Sequence, residues 1–245
     1  MPPSTRMKHF TAGIRDTVPM LVGAAPFGMI FGTLVATAQM QAWQGQLMSL
    51  VVFAGSSQFI ATGLIASHTG MLVIWLATFI VNLRHMLYAA SLMPHVRHLP
   101  RPWRWGLGFL LTDETFAVVD GYYRQHPQDA LGHWYFLGSG LSMYVNWQVW
   151  TLIGLMFGAI FPQLQTLGLD FAMVATFIAI VVPQLFKRPH LLAAIVAGST
   201  AYALQHLPYK LGLLAAIALG VATGMLASCF TKQNNKQEQI TVEQA

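Results

Sequence analysis

Long apolar stretches of membrane-spanning length follow one another along most of this chain. A hydrocarbon core about 30 Å thick requires roughly 20 residues of helix. Charge-poor windows of about that size lie at 17–39, 45–67, 71–94, 105–121, 133–161, 171–186, 191–207 and 211–230. The pattern predicts an all-α polytopic integral membrane protein with about 6 to 8 transmembrane or re-entrant helices.

The composition supports this prediction. Of the 245 residues, 55% are hydrophobic and 9% are charged, whereas a soluble domain carries roughly 25% charged residues. This excludes an ordinary soluble globular protein, so the lipid bilayer must surround most of the surface. The net charge of +5 comes from short Lys and Arg clusters beside apolar segments. That pattern is typical of cytoplasmic loops and not of a nucleic-acid-binding face.

The distribution of Lys and Arg bears on how many segments cross the membrane, since cytoplasmic loops hold an excess of both. With eight crossings and a cytoplasmic N-terminus, eight of these residues lie inside and four outside, leaving out Arg84 as intramembrane. If the second and fourth segments are broken or re-entrant, residues 97–104 move inside and the count becomes eleven against one. The count favours six crossings with both termini cytoplasmic, and eight plain helices are the alternative.

The same pattern divides the chain into three parts. Residues 1–16 are predicted to form a cytoplasmic N-terminal segment, 17–230 a membrane transporter domain, and 231–245 a polar, disordered C-terminal tail. The single cysteine, Cys229, lies in an apolar run and is expected to be a buried small hydrophobic residue.

Glycines four positions apart recur in three segments, and this spacing lets two helices approach closely. The pairs are Gly28 with Gly32, Gly154 with Gly158, and Gly220 with Gly224. Pro26 and Pro183 are predicted helix kinks. An overlay at an offset of 126 residues places the first glycine pair on the second, which indicates a weak internal repeat. Such a repeat gives both halves one orientation and fits eight crossings better.

The first polar cluster within an apolar segment is FAGSSQF, at 53–59. Gly55 permits an unusual backbone angle or a close approach, and Ser56, Ser57 and Gln58 place donors and acceptors in mid-segment. A helix break here would free backbone carbonyls and amides for a zwitterionic ligand. The alternative is that these side chains hydrogen-bond to a neighbouring helix.

The second cluster is VNLRHMLYAASLMP, at 81–94. Asn82 and His85 are three positions apart and Arg84 and Tyr88 four, so a helix brings all four into one polar patch. Arg84 is suited to clamp a carboxylate or to pair with an intramembrane acid, and His85 to relay a proton. The alternative is that Arg84 extends toward the cytoplasmic headgroups.

The third cluster is LLTDETFAVVD, at 110–120, where Asp113 and Glu114 are adjacent and point in different directions on a helix. One acid could neutralise Arg84 and the other could titrate, because burial raises the pKa of a carboxyl group. The alternative is a helix start, with Thr112 as N-cap and both acids favourably placed on the helix dipole.

Signatures of enzymes and metal sites are absent from the sequence. It has no HExxH, GxxxxGK[ST] or GxSxG motif. Among its histidines only His95 and His98 are near each other, and His85 has no Cys or acid at ligand spacing. We therefore expect neither an enzyme nor a bound metal or cofactor. Without a nucleotide-binding loop, active transport would have to use an ion gradient or exchange.

The three clusters together resemble one known family. AGSSQF, NLRHMLYAASL and LTDETF occur in the order and at the approximate separations of the conserved blocks of the AzlC family, also called the LIV-E branched-chain amino acid exporters. PFGMIFG, at 26–32, is similar to that family's first-span motif. The resemblance covers the chain from about residue 10 to 230.

The resemblance implies export of valine, leucine, isoleucine or methionine across a bacterial inner membrane, together with a small AzlD-type membrane subunit. The positions that match the family blocks are Gly55, Ser57, Gln58, Arg84, His85, Tyr88, Asp113 and Glu114. Asn82 stands where some members carry Asp, so this chain lacks a carboxylate there.

An amino-acid carrier needs an anchor for carboxylate, an acceptor for ammonium and an apolar pocket. Arg84 is the candidate for the first, and Asp113 or Glu114, with carbonyls near Gly55, for the second. Met and Phe side chains would supply the third. Proton influx through a carboxyl group or His85 is the hypothesis for coupling. The alternative is a channel or an accessory membrane subunit whose polar clusters bind a partner and not a substrate.

Overall fold

The computed structural model describes residues 3–160, 182, 185–186, 188–207 and 211–243. The regular elements of this part are all α-helices, which confirms the predicted all-α class for the described residues. The helices are α1 Pro3–Thr37, α2 Ala42–Val51, α3 Gly55–Ala66, α4 Met71–Val96, α5 Arg101–Phe109, α6 Asp113–Gln125, α7 Gly132–Ile160, α8 Arg188–Ala203 and α9 Leu211–Glu243. Most of the segment predicted at 171–186, including Pro183, lies outside the described residues.

The chain forms two compact units. One comprises Met1–Ser67 and Val81–Leu169, and the other His68–Ile80 and Asp170–Ala245. Within the described ranges, two stretches are long and apolar enough to cross a membrane by length and composition, Thr5–Ala36 and Met71–Val96. The number of crossings stays a prediction.

Helix α1 extends across the boundary predicted at residue 16, since it begins at Pro3 and runs without interruption to Thr37. Pro26 lies inside it, as does Pro19, and each proline removes one helical hydrogen bond. Helix α7 supplies nearby polar contacts. Asn146 Nδ2 donates to the Leu21 carbonyl at 3.1 Å.

Helices α1 and α7 pack against each other along their length in the first unit. A methyl group added at Gly32 would collide with the carbonyl oxygen of Thr151, and one at Gly154 with the carbonyl oxygen of Met29. At Gly158 the nearest atoms, in Thr33, would lie 3.5 Å away, an ordinary contact. The backbones therefore meet closely one turn before Gly158 and not at Gly158 itself.

Two glycines that the sequence pattern missed make equally close contacts between these helices. A methyl group at Gly13 would meet the carbonyl oxygen of Tyr135, and one at Gly138 that of Phe10. Gly13 has no glycine four positions away, so the spacing rule could not find it. Nearby, Thr17 Oγ1 donates to Ser139 Oγ at 2.7 Å, and both side chains are fully buried.

The second and fourth apolar segments, which the charge count singled out, are each interrupted. Helix α2 ends at Val51 and α3 begins at Gly55. Helix α5 ends at Phe109 and α6 begins at Asp113. At the first interruption the strained backbone belongs to Phe53, with φ of 40°, and not to Gly55.

A single aromatic residue of α7 contacts both interruptions. The ring of Tyr144 lies 4.9 Å from that of Phe53 and 5.6 Å from that of Phe109. Its hydroxyl donates to the Leu50 carbonyl at 3.1 Å, one of the carbonyls that the end of α2 leaves without a helical donor. Helix α7 thus supports the irregular backbone at both breaks.

In the second unit, α8 packs against α9 at small residues. A methyl group at Gly220 would lie 2.8 Å from Ala197 Cβ, and one at Gly224 3.3 Å from Ala193 Cβ. Helix α9 continues to Glu243, through residues predicted to form a disordered tail, because this stretch contains no Gly or Pro to end it. The prediction that Cys229 is buried is wrong, since it is exposed.

Candidate functional site

An ion pair joins the second and third polar clusters. Nη1 of Arg84, on α4, lies 2.8 Å from Oδ2 of Asp113, the first residue of α6. Nη2 of Arg84 donates to Oγ of Ser56, on α3, at 3.0 Å. The side chains of Arg84 and Asp113 are 26% and 36% exposed. Residues from all three sequence clusters therefore meet at one guanidinium group.

The start of α6 provides a favourable position for the acidic residue Asp113. Thr112 is the N-cap, and its hydroxyl accepts from the Thr115 N–H at 3.3 Å. Asp113 and Glu114 occupy the first turn, where the helix dipole favours negative charge. The helix start and the ion pair, which the sequence offered as alternatives, therefore occur together.

The ion pair leaves hydrogen-bonding capacity unused. Among the described residues, Arg84 Nε and Asp113 Oδ1 are buried and have no hydrogen-bond partner. One is a donor on a positive group and the other an acceptor on a negative group. Such groups are costly when buried without partners, and together they match the two charged ends of a zwitterion.

Polar neighbours on α3 and α4 surround the pair. The buried Ser57 donates from Oγ to Asn82 Oδ1 at 2.6 Å, so the Asn82 side chain holds α3 against α4. Nδ1 of His85 lies 3.2 Å from the Asn82 carbonyl oxygen. The ring of Tyr88 meets that of His85 edge-on at 5.8 Å and stacks on Phe116 at 4.4 Å.

Glu114 is separate from this ion pair. It is half-buried, and no Lys or Arg pairs with it in the part of the chain that the structure describes. Its carboxylate stays near the N-terminus of its own helix, beside the Thr112 side chain. Asp113, and not Glu114, is thus the acid that faces Arg84.

Gln58 belongs to a second, fully buried polar network. Its Nε2 donates to Ser49 Oγ at 2.9 Å, and its Oε1 accepts from Trp147 Nε1 at 3.0 Å. Ser49 Oγ in turn lies 2.9 Å from Thr151 Oγ1. The network joins α2, α3 and α7 beside the first helix break. Gly55 packs closely against this network, since a methyl group added at Gly55 would lie 3.0 Å from the Trp147 ring.

Sequence reasoning missed the partners of Gln58. Ser49, Trp147 and Thr151 are single polar groups in apolar segments, and nothing in their spacing connects them with Gln58. The available signal was the cost of a polar side chain at membrane depth, which requires a partner somewhere in the fold. Identifying that partner needs the tertiary packing of α7 against α2 and α3.

A further polar cluster joins α1 to the loop between α6 and α7. Nε2 of His9 lies 3.1 Å from Oδ2 of Asp129, which also accepts from the Tyr122 hydroxyl and, through Oδ1, from the Leu131 N–H at 2.9 Å. Burial alone raises the pKa of Asp129, but these hydrogen bonds and His9 outweigh it, and the pKa lies below its ordinary value.

Comparison with known proteins identifies similar chains. The family model described as "AzlC protein" matches residues 19–161. An uncharacterized membrane protein of Helicobacter pylori is 30% identical over 186 residues, covering 74% of this chain and 78% of the relative. The branched-chain amino acid transport protein AzlC of Bacillus subtilis is 27% identical over 179 residues, covering 73% and 69%.

A longer match extends over nearly the whole chain. The inner membrane protein YgaZ of Escherichia coli is 24% identical over 231 residues, covering 91% of this chain and 93% of that protein. No solved structure matches this chain. The resemblance seen in the three sequence clusters is thus confirmed by independent comparisons.

Proposed function

This chain belongs to the AzlC family, and from that premise we propose that it is a bacterial inner-membrane exporter of hydrophobic amino acids. The relatives are named as membrane proteins, and one as a branched-chain amino acid transport protein. Valine, leucine, isoleucine and methionine are the proposed substrates. A transporter and not an enzyme is the class that these names support.

The observation that carries the proposal is the Arg84–Asp113 pair with its unused donor and acceptor. An amino acid is a zwitterion, so its carboxylate can bind the guanidinium while its ammonium binds the Asp113 carboxylate. The internal pair and the substrate are each neutral overall. When the substrate binds, its two contacts replace the single contact between Arg84 and Asp113. This exchange adds no net charge to a low-dielectric site, where an unpaired charge is costly.

Specificity for apolar side chains would come from the aromatic groups beside the pair. Tyr88 and Phe116 stack next to Asp113 on α4 and α6. A branched aliphatic or thioether side chain can pack on such rings. A charged or strongly polar side chain would lose its hydration there without gaining a partner.

Transport is proposed to be secondary active and coupled to proton entry. His85 is adjacent to Arg84 in sequence and lies beside Tyr88, and the carboxyl groups of Asp113 and Glu114 are the other candidate proton carriers. A small AzlD-type subunit is proposed to act with this chain. If the efflux rate in vesicles did not change with an imposed pH gradient, the coupling proposal would fail while the substrate proposal stood.

The experiment that tests export is efflux of preloaded labelled valine and methionine from cells. The cells express this chain alone, with an AzlD-type partner, or with the partner and Arg84→Ala. We expect partner-dependent efflux that the variant abolishes at unchanged membrane abundance. Arg124→Ala is the matched control, because Arg124 also pairs with an aspartate, Asp120, but is 78% exposed.

Other outcomes decide between the proposals. If both subunits together move neither amino acid, the substrate assignment fails. If efflux survives Arg84→Ala, the pair is not in the substrate path, and an accessory role for the polar clusters is favoured. If Arg124→Ala abolishes efflux as fully as Arg84→Ala, the effect of the latter is not specific to the site.

A further inference from the structure

A pocket lies at the junction of α4 and α5 in the first unit. Its volume is about 410 Å³, and it is lined by Met93, Arg101, Arg104 and Trp105. None of these residues takes part in the Arg84–Asp113 site. The volume falls within the roughly 300–1,000 Å³ that is typical of small-molecule sites.

The charges in this pocket are unpaired. Within the described ranges, neither Arg101 nor Arg104 forms a salt bridge, and Arg104 Nε is buried with no hydrogen-bond partner. Arg84 and Arg124, by contrast, each contact a carboxylate. The sequence has no Asp or Glu between Arg84 and Asp113. The two guanidinium groups are therefore available to an external anion.

The start of α5 reinforces this preference for an anion. The helix begins at Arg101, and its N-cap, Pro100, has no side-chain hydrogen bond to the first turn. Unpaired N–H groups and the positive end of the helix dipole favour negative charge at such a terminus. The helix terminus and the arginine side chains thus attract the same kind of ligand.

The apolar side of α5 shows what kind of molecule carries the anion. Trp105 is 79% exposed and Phe109, one turn further on, is 46% exposed, while Leu107 is buried. Exposed Trp beside Arg on a short amphipathic helix is typical of the boundary between headgroups and acyl chains. A free inorganic anion would not contact these rings, whereas a lipid would contact the arginines with its headgroup and the rings with its acyl chains.

We propose that this pocket binds the phosphate of an anionic phospholipid headgroup, with Arg101 and Arg104 as its ligands and Trp105 and Phe109 against the acyl chains. The exposed Arg97, just before α5, adds positive charge to the same surface. The site is independent of the proposed export. Its test therefore stands whether or not amino-acid efflux is found.

The test measures lipid binding to the purified, delipidated full chain in detergent by native mass spectrometry. The probes are dioctanoylphosphatidylglycerol, dioctanoylphosphatidylcholine and inorganic phosphate. We expect the anionic lipid to bind about tenfold more tightly than the zwitterionic one. The double variant Arg101→Gln with Arg104→Gln should remove that difference. Lys8→Gln with Arg15→Gln, which removes the same charge from α1, should retain it.

Three results would overturn the proposal: equal binding of the two lipids, unchanged preference in the Arg101 and Arg104 double variant, or tight binding of inorganic phosphate that excludes the anionic lipid. A second measurement does not depend on those variants. Brominated phosphatidylglycerol should quench the tryptophan fluorescence of the wild-type chain more than that of Trp105→Phe. Equal quenching would also count against the site.

Discussion

At the scale of single residues, Arg84 makes contacts that a lysine could not reproduce. Its two terminal nitrogens bind Asp113 and Ser56 while Nε remains without a partner in the described part of the chain. The guanidinium group is a rigid fork with five donors, whereas an ammonium group is a compact point charge. Replacing Arg84 by Lys therefore keeps the positive charge and removes the geometry of the guanidinium group.

We expect Arg84→Lys to reduce valine efflux about tenfold or more, since one charge-assisted hydrogen bond contributes about 1.5 kcal/mol or more. Membrane abundance should stay near that of the wild type, because the lysine can still neutralise Asp113. The measurement is initial efflux rate per amount of protein in the membrane. Efflux close to that of the wild type would show that charge alone suffices, as expected of a structural pair.

Gln58 has a different role, because both ends of its amide are already occupied by Ser49 and Trp147. Gln58→Leu keeps the volume but leaves the Trp147 N–H without an acceptor. We expect the free energy of unfolding to fall by about 1–3 kcal/mol, measured by thermal unfolding in detergent. Gln125→Leu, at an exposed position, should change it by less than about 0.5 kcal/mol. Normal stability with lost efflux would instead place Gln58 in the substrate path.

At the scale of elements, the sequence predicts one of the two helix breaks and not the other. The start of α6 follows from Thr112 and the two acids, which form a recognisable N-terminus. The end of α2 does not, since the left-handed backbone falls on Phe53, a residue that normally avoids it. Contacts with Tyr144 of α7 stabilise it, and these depend on tertiary packing.

The close contact of α1 with α7 gives a matched pair of substitutions one turn apart. Gly154→Ala should destabilise the protein by about 1–3 kcal/mol, because the new methyl group meets the Met29 backbone and the helices must separate. Gly158→Ala should be neutral or slightly stabilising, since its methyl group has room and Ala favours helix. Thermal unfolding in detergent compares the two. Equal effects would contradict the packing described for these helices.

The contact between α1 and the loop after α6 should make stability depend on pH. The pKa of Asp129 is lowered in the folded chain, so its contribution is present above the ordinary carboxyl pKa and is lost as pH falls through the lower folded value. The wild type should therefore lose melting temperature below about pH 4 more steeply than Asp129→Asn. Parallel curves for the two proteins would refute this assignment.

At the scale of the whole molecule, the sequence predicted the helical class, the family and the residues that gather around Arg84. It could not predict which acid faces Arg84, since Asp113 and Glu114 are adjacent and only the position of α6 against α4 decides. It also missed the basic pocket at the junction of α4 and α5, because Arg101 and Arg104 were counted only as loop charges. The positions of α5 and α6 relative to α4 account for both gaps.

The number of membrane crossings is a whole-molecule prediction with a direct test. Six crossings with re-entrant second and fourth segments put His98 on the cytoplasmic side and His68 on the outer side, whereas eight plain crossings reverse both. Both residues are exposed. In a Cys229→Ser background, single cysteines at these positions can be labelled in intact cells with a membrane-impermeant maleimide.

We expect His68→Cys to be labelled and His98→Cys to be protected until the cells are permeabilised, because this topology places all but one of the counted Lys and Arg inside. Trp43→Cys and His126→Cys are controls, since both topologies put the first outside and the second inside. Labelled His98→Cys with protected His68→Cys would establish eight crossings. In that case the lipid pocket at Arg101 would face the outer leaflet. The positive-inside bias gives no reason to expect arginines on that side of the membrane.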